Sequence, residues 1–122
     1  MSIKFTFSTS GELVSLPAEA VVFITADGNY SSITTADGRS FMLTLQLGQI
    51  EKQIQDSVRG EVTACFIRIG KSLIVNRNFI THIQLERQRI ELSDCRTFRH
   101  EVAASKEALK ALKALIEKEA TT

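Results

Sequence analysis

The chain has 122 residues, 43% hydrophobic and 24% charged, with a formal net charge of +1. A chain of that size buries its own core as one domain, and that balance excludes a disordered, highly charged tail. No window is apolar for long enough to span a bilayer, and Met1-Ser-Ile-Lys-Phe-Thr-Phe7 lacks the apolar run of a signal peptide. The expected compartment is therefore the cytoplasm, with no membrane partner.

Taken in order, the chain predicts short strands and turns for a hundred residues and then a helix. Ile3-Lys-Phe-Thr-Phe7 alternates apolar and polar residues, and Glu12-Leu-Val-Ser-Leu16 returns after the turn formers Ser8-Thr-Ser-Gly11. Thr25-Ala-Asp-Gly28 recurs as Thr35-Ala-Asp-Gly38, and Asp-Gly favours the positive φ of a two-residue hairpin, so the repeat predicts two consecutive tips. Between Thr44 and Ser57, Leu45, Leu47, Ile50 and Ile54 recur at helical spacing, which predicts an amphipathic helix capped by Thr44. After Ile80, Thr81–Leu85 and Arg89–Leu92 bracket Glu86-Arg-Gln88 as a further hairpin, and Arg96–Val102 alternates again. Ser105 then caps a closing helix with Glu107 in its first turn, where the dipole favours an anion. Its stripe of Ala108, Leu109, Leu112, Leu115 and Ile116 must cover another surface, and the domain's own sheet is the expected one.

The small net charge hides an uneven distribution. Residues 1–58 hold three bases against six acids, a balance of −3, whereas residues 59–100 hold eight bases against four acids, a balance of +4. A basic patch of this kind is the electrostatic footprint of a nucleic-acid binder, although Arg87, Arg89 and Arg96 equally suit the solvated face of a sheet. Enzymatic motifs fail on inspection. Gly70-Lys71-Ser72 resembles the end of a phosphate-binding loop, but Cys65 stands where that loop needs glycine and a β-rich run follows where it needs a helix. His82 and His100 have no metal-ligand spacing around them, and Cys65 and Cys95, thirty residues apart, are expected to be buried or half-buried free thiols. Neither catalysis nor a cofactor nor a metal is expected.

The basic stretch contains Phe66-Ile-Arg-Ile-Gly-Lys-Ser-Leu-Ile-Val-Asn-Arg-Asn-Phe-Ile80, two runs of β-formers on a half-buried surface around a polar turn that carries Lys71 and Ser72. Its R-I-x-[K/R]-S-x-I-V-N pattern resembles the LytTR family of bacterial DNA-binding domains. Val21-Val-Phe-Ile-Thr-Ala-Asp-Gly-Asn-Tyr30 resembles that family's hairpin, and Leu92–Cys95 through Ala104–Glu107 resemble its last strands and closing helix, so the likeness runs over about residues 3–116. The resemblance implies a mostly β, elongated antiparallel fold with one mid-chain helix and a C-terminal helix, whose edge loops enter successive major grooves of double-stranded DNA. Carried over by position, the contacting loops are Asn29, Tyr30 and Ser31, then Gly70, Lys71 and Ser72, then Ala104, Ser105 and Lys106. The family pattern has His where Gly70 stands and commonly Arg where Lys106 stands, and both are planar donors suited to base edges.

Each of these residues also has a plain structural reading. Gly28 and Asn29 suit a turn, Tyr30 suits either core or groove, and Arg68 suits either a scaffold bond to a loop carbonyl or a phosphate contact. Asn76 reads as a buried tie and Arg77, beyond it, as an exposed phosphate contact. A single domain over 1–122 with no receiver domain implies a small transcription regulator, bound to paired half-sites as a homodimer and controlled by abundance or a regulatory protein partner. The alternative is an interaction module of the same fold that binds or antagonises another regulator.

Overall fold

The computed structural model describes residues 3–57 and 65–120, and the chain divides into two compact units, Met1–Asn78 and Phe79–Thr122. The first unit opens with the predicted hairpin, β1 (Lys4–Ser8) paired antiparallel to β2 (Leu13–Pro17) with Phe5 opposite Leu16 and Phe7 opposite Val14. The Thr9 hydroxyl oxygen accepts from the Gly11 and Glu12 amides and closes the connection. Strict alternation puts Phe5, Phe7, Val14 and Leu16 on one buried face.

Five further strands form an antiparallel sheet in the order β5-β4-β3-β7-β6. They are β3 (Val21–Asp27), β4 (Tyr30–Thr35), β5 (Ser40–Leu43), β6 (Phe66–Ile69) and β7 (Leu73–Asn76). Helix α1 (Leu47–Ser57) packs on β1 and β3. Its Leu47, Ile50 and Ile54 join Phe5, Phe7, Ile24, Ile33 and Ile74 in one core, where Phe66 meets Phe5 edge-on at 5.0 Å.

The two Thr-Ala-Asp-Gly repeats do mark two tips, with different turns from those expected. In the first, Asp27 pairs with Tyr30, so the two-residue loop is Gly28-Asn29 and not Asp27-Gly28, and only Gly28 is left-handed (φ +63°). The second loop is longer: the Gly38 amide donates to the Thr35 carbonyl at 3.1 Å, the Thr35 amide donates to the Arg39 carbonyl at 2.9 Å, and Gly38 takes the positive φ. Helix α1 also starts later than its apolar spacing suggests. Gln46, not Thr44, is the cap: its carbonyl accepts from Gln49 and Ile50, and its amide donates to the Gln49 side chain at 2.8 Å, one half of a capping box. Strand β7 departs from the half-buried expectation as well, since all four of its residues are buried.

The second unit is a three-stranded antiparallel sheet in the order β10-β9-β8 with one helix. Strands β8 (Ile80–Gln84), β9 (Arg89–Ser93) and β10 (Arg99–Ala103) are joined by a four-residue turn and an Asp94 loop. Asp94 accepts the Thr97 hydroxyl and the amides of Arg96, Thr97 and Phe98, which hold its carboxyl far below the usual carboxylate range, the Thr97 hydroxyl most of all. A depressed carboxyl stabilises the fold above its unfolded value of about 4 and loses that contribution as pH falls below it. Acid titration of Asp94→Asn is therefore expected to show a shallower loss of stability below about pH 4 than the parent, measured by denaturant melts. Cys95, in the same loop, is exposed with φ +61° and not buried or half-buried as expected; Cys65 is half-buried, and the two form no disulfide.

Helix α2 (Lys106–Ala120) packs on β8. Ser105 caps it as predicted, its hydroxyl oxygen accepting the Ala108 amide at 3.1 Å. Leu109 and Leu112 are buried, Ile116 is half-buried and Leu115 is 41% exposed, so the apolar stripe is fully covered along its first half and only partly beyond it.

Candidate nucleic-acid interface

Two turns of the first unit lie side by side at one end of the five-stranded sheet. Strand β3 runs into the Gly28-Asn29 tip, β7 leaves the Gly70–Ser72 turn, and Thr25 on β3 pairs with Leu73 on β7. The Ala26 amide donates to the Ser72 carbonyl at 2.9 Å, which ties the second turn directly to the strand that carries the first. Paired strands run about 5 Å apart, so both turns project from neighbouring positions.

Asn29, Tyr30, Gly70, Lys71 and Ser72 are all exposed in these turns, Tyr30 at 47%. Among the described residues Lys71 makes no salt bridge, which leaves its ammonium available as a point charge. Gly70 has φ +62°, and a Cβ built there meets nothing within 4 Å, so a side chain at this position costs torsion and no clash. Gly70→Ala is accordingly expected to lower stability by about 1 kcal/mol in urea melts without disturbing the core.

Ser31 is a correction. It is fully buried, and its hydroxyl donates to the Leu45 carbonyl at 2.7 Å, because β4 alternation turns it toward the core beside Leu43. It fastens the chain leading into α1 and has no surface to offer a ligand. Arg77, expected to be exposed, is half-buried in the 3-10 turn Arg77–Phe79, its amide donating to the Cys65 carbonyl at 2.8 Å. Asn76 is the buried tie that was expected, its side-chain amide donating to the Val21 carbonyl at 2.9 Å and its oxygen accepting the Asn78 amide at 3.0 Å.

Arg68 makes three side-chain bonds. Its Nε donates to the Gly70 carbonyl at 3.2 Å, Nη2 to the Lys71 carbonyl at 2.9 Å, and Nη1 to Glu51 Oε1 on α1 at 2.9 Å. Glu51 was not legible as part of this arrangement, since it lies seventeen residues from Arg68 and no local pattern joins them.

In the second unit, Lys106 Nζ donates to Glu86 Oε1 in the β8–β9 turn at 2.7 Å, and this bond holds the Glu86 carboxyl below its usual range. An ion pair with so exposed a partner is worth little and opens readily. Arg99, counted above in the basic stretch, is matched by Glu91 at 2.6 Å and Glu101 at 2.5 Å. Arg87 and Arg96 are exposed and Arg89 half-buried, while Arg59 lies outside the described residues. Among the described residues no three His, Cys, Asp or Glu side chains gather as metal ligands, and no helix is long and apolar enough to cross a membrane.

The family model for the LytTr DNA-binding domain matches residues 11–117, nearly the whole chain and both units. The chain belongs to the LytTR family. Its mostly β architecture agrees: this LytTR domain is similar to a solved structure described as the LytTr DNA-binding domain of a methyl-accepting/DNA response regulator from Bacillus cereus. The two share 20% identity and a TM-score of 0.63 over 95% of this chain and 97% of that one, a likeness of fold. No curated protein matches the chain. Membership makes DNA binding in transcription regulation the general function of this LytTR domain.

Proposed function

We propose that this LytTR domain is a small transcription regulator that reads double-stranded DNA through turns inserted in the major groove. The observation that carries the proposal is the pairing of two exposed polar turns, Gly28–Tyr30 and Gly70–Ser72, on hydrogen-bonded strands at one end of a sheet. Lys71 reaches a guanine edge or a phosphate, Ser72 donates to a phosphate oxygen, Asn29 offers an amide able to bond a base edge, and Tyr30 supplies an exposed ring for sugar or base contact. Gly28 and Gly70 supply the backbone shape of the two turns. In the second unit, Ser105 and Lys106 are the proposed contacts, with Lys106 exchanging Glu86 for a phosphate. Arg77, half-buried, is a further proposed phosphate contact, and the fully buried Ser31 takes no part. Binding as a homodimer to paired half-sites in the bacterial cytoplasm completes the proposal, with no catalytic step and no cofactor.

Selecting bound fragments from random duplex DNA with the purified protein tests this reading. Lys71→Ala is expected to weaken binding to the selected duplex about threefold to tenfold and to lower the steepness of its salt dependence by about one, with the fold intact because the side chain is exposed. Equal affinity of variant and parent would count against the proposal. The balance of +1 and the exposed Leu13 (61%) and Met42 (59%) favour a second reading, a protein-interaction module of this fold. On that reading no duplex is enriched, and affinity for the protein partner changes little with salt.

A further inference from the structure

We infer that Arg68 and Glu51 are positioning residues, a brace that fixes the shape in which the Gly70–Ser72 turn presents Lys71 and Ser72; this rests on the duplex reading above. One planar guanidinium holds the carbonyls of two consecutive residues of a three-residue turn, Gly70 and Lys71, and its third nitrogen holds the Glu51 carboxylate. A rigid fork that captures two successive carbonyls fixes the orientation of both peptide planes. Without it, the turn would keep its strand ends and the Ala26 bond to the Ser72 carbonyl, but nothing would hold the Gly70 and Lys71 peptides against the wide freedom of Gly70 at φ +62°. Glu51 supplies the external reference. It stands on α1, which Leu47, Ile50 and Ile54 seat in the core, so the guanidinium ties the turn to a fixed helix and not to its own hairpin alone. The pair is partly sheltered, with side chains 29% and 37% exposed, and the bonds are charge-assisted, which sets them apart from a fully solvated ion pair.

The sign of one substitution separates this brace from simple electrostatics. Glu51 is an acid near a surface that would meet phosphates, so charge alone makes Glu51→Ala bind DNA more tightly. A brace makes it bind about threefold to tenfold more weakly, because Arg68 loses its anchor and the turn must be ordered on binding. Glu51→Gln, which keeps an oxygen for Nη1, is expected to recover most of that loss. Arg68→Gln is expected to cost about tenfold in affinity for the selected duplex, while the slope of log affinity against log salt stays that of the parent. Adding Glu51→Ala to Arg68→Gln should cause little further loss, since both remove one device. Glu51→Ala binding as well as or better than the parent, or Arg68→Gln lowering the slope by about one as a lost phosphate contact does, overturns the inference. Lys71→Ala measured beside them separates the two levels: if it too leaves binding unchanged, the duplex reading fails and takes the brace with it, whereas its weakening beside an unaffected Glu51→Ala sinks the brace alone.

Discussion

Leu112→Ala is expected to destabilise the second unit by about 2–5 kcal/mol, the range for removing a buried leucine from a core that cannot fully close around the gap. Leu112 is 3% exposed and lies one turn beyond the fully buried Leu109, on the side of α2 that packs on β8. Leu115→Ala, at a position 41% exposed, should cost well under 1 kcal/mol by the same measurement. The two variants together test whether α2 is held by its own sheet or by a second chain. If the sheet holds it, the melting temperature of the parent does not depend on protein concentration over a hundredfold range, and Leu112→Ala lowers it equally at every dilution. If the helix is a dimer contact, the parent melts higher when concentrated, Leu115→Ala matters as much as Leu112→Ala, and both abolish the dependence. On the first outcome, Leu112→Ala should also weaken DNA binding, because Ser105 and Lys106 sit at the start of the helix that the substitution loosens.

What could be read from the residues alone divides along a physical line. Period-two alternation placed β1 and β2, and the Asp-Gly repeats placed two hairpin tips, because both signals are local and are set by the pleat and by the sign of φ. Ser105 as a cap was legible for the same reason: its bond reaches only three residues ahead. Thr44 failed as a cap because capping depends on where the chain leaves the preceding strand, and the Ser31 hydroxyl bonds the Leu45 carbonyl ahead of a helix that begins at Leu47. The same bond shows why Ser31 was misread: a serine next to an exposed tyrosine at a hairpin tip looks like surface, and only strand register shows that it faces inward. Cys95 was misread in the opposite sense, since its exposure follows from an Asp94 loop that turns the backbone left-handed at that point. The brace on the Gly70–Ser72 turn could be half seen. Arg68 admitted a loop-carbonyl role, but its partner on α1 was decided by helix packing, which no window of sequence contains.

Asn76→Ala is the second large effect, expected to cost about 2–4 kcal/mol, and its pH behaviour in a companion variant gives a stronger test than the magnitude. Asn76 is 1% exposed at the end of β7, and it uses both halves of its amide, donating to the Val21 carbonyl and accepting from the Asn78 amide. Truncation leaves the carbonyl of the fully buried Val21 without its partner, at about 1–3 kcal/mol for a buried unpaired group, and also removes the bond to the Asn78 amide. Asn76→Asp has nearly the same shape and keeps the acceptor for Asn78, but at neutral pH it points a carboxylate oxygen at the Val21 carbonyl and buries a charge. That carboxyl must bind its proton more tightly in the folded chain than in the unfolded one, so its folded pKa lies above the usual value of about 4. Linkage then fixes the sign: the folded state holds more protons, and stability rises as pH falls through the raised value. In urea melts, Asn76→Asp should be at least as damaging as Asn76→Ala at pH 7 and distinctly less damaging at pH 5, where the protonated acid donates to Val21 as the amide did. This is opposite in direction to the acid loss expected from the Asp94 loop. A penalty for Asn76→Asp that stays constant between those two pH values would show that the Val21 bond does not close this end of β7.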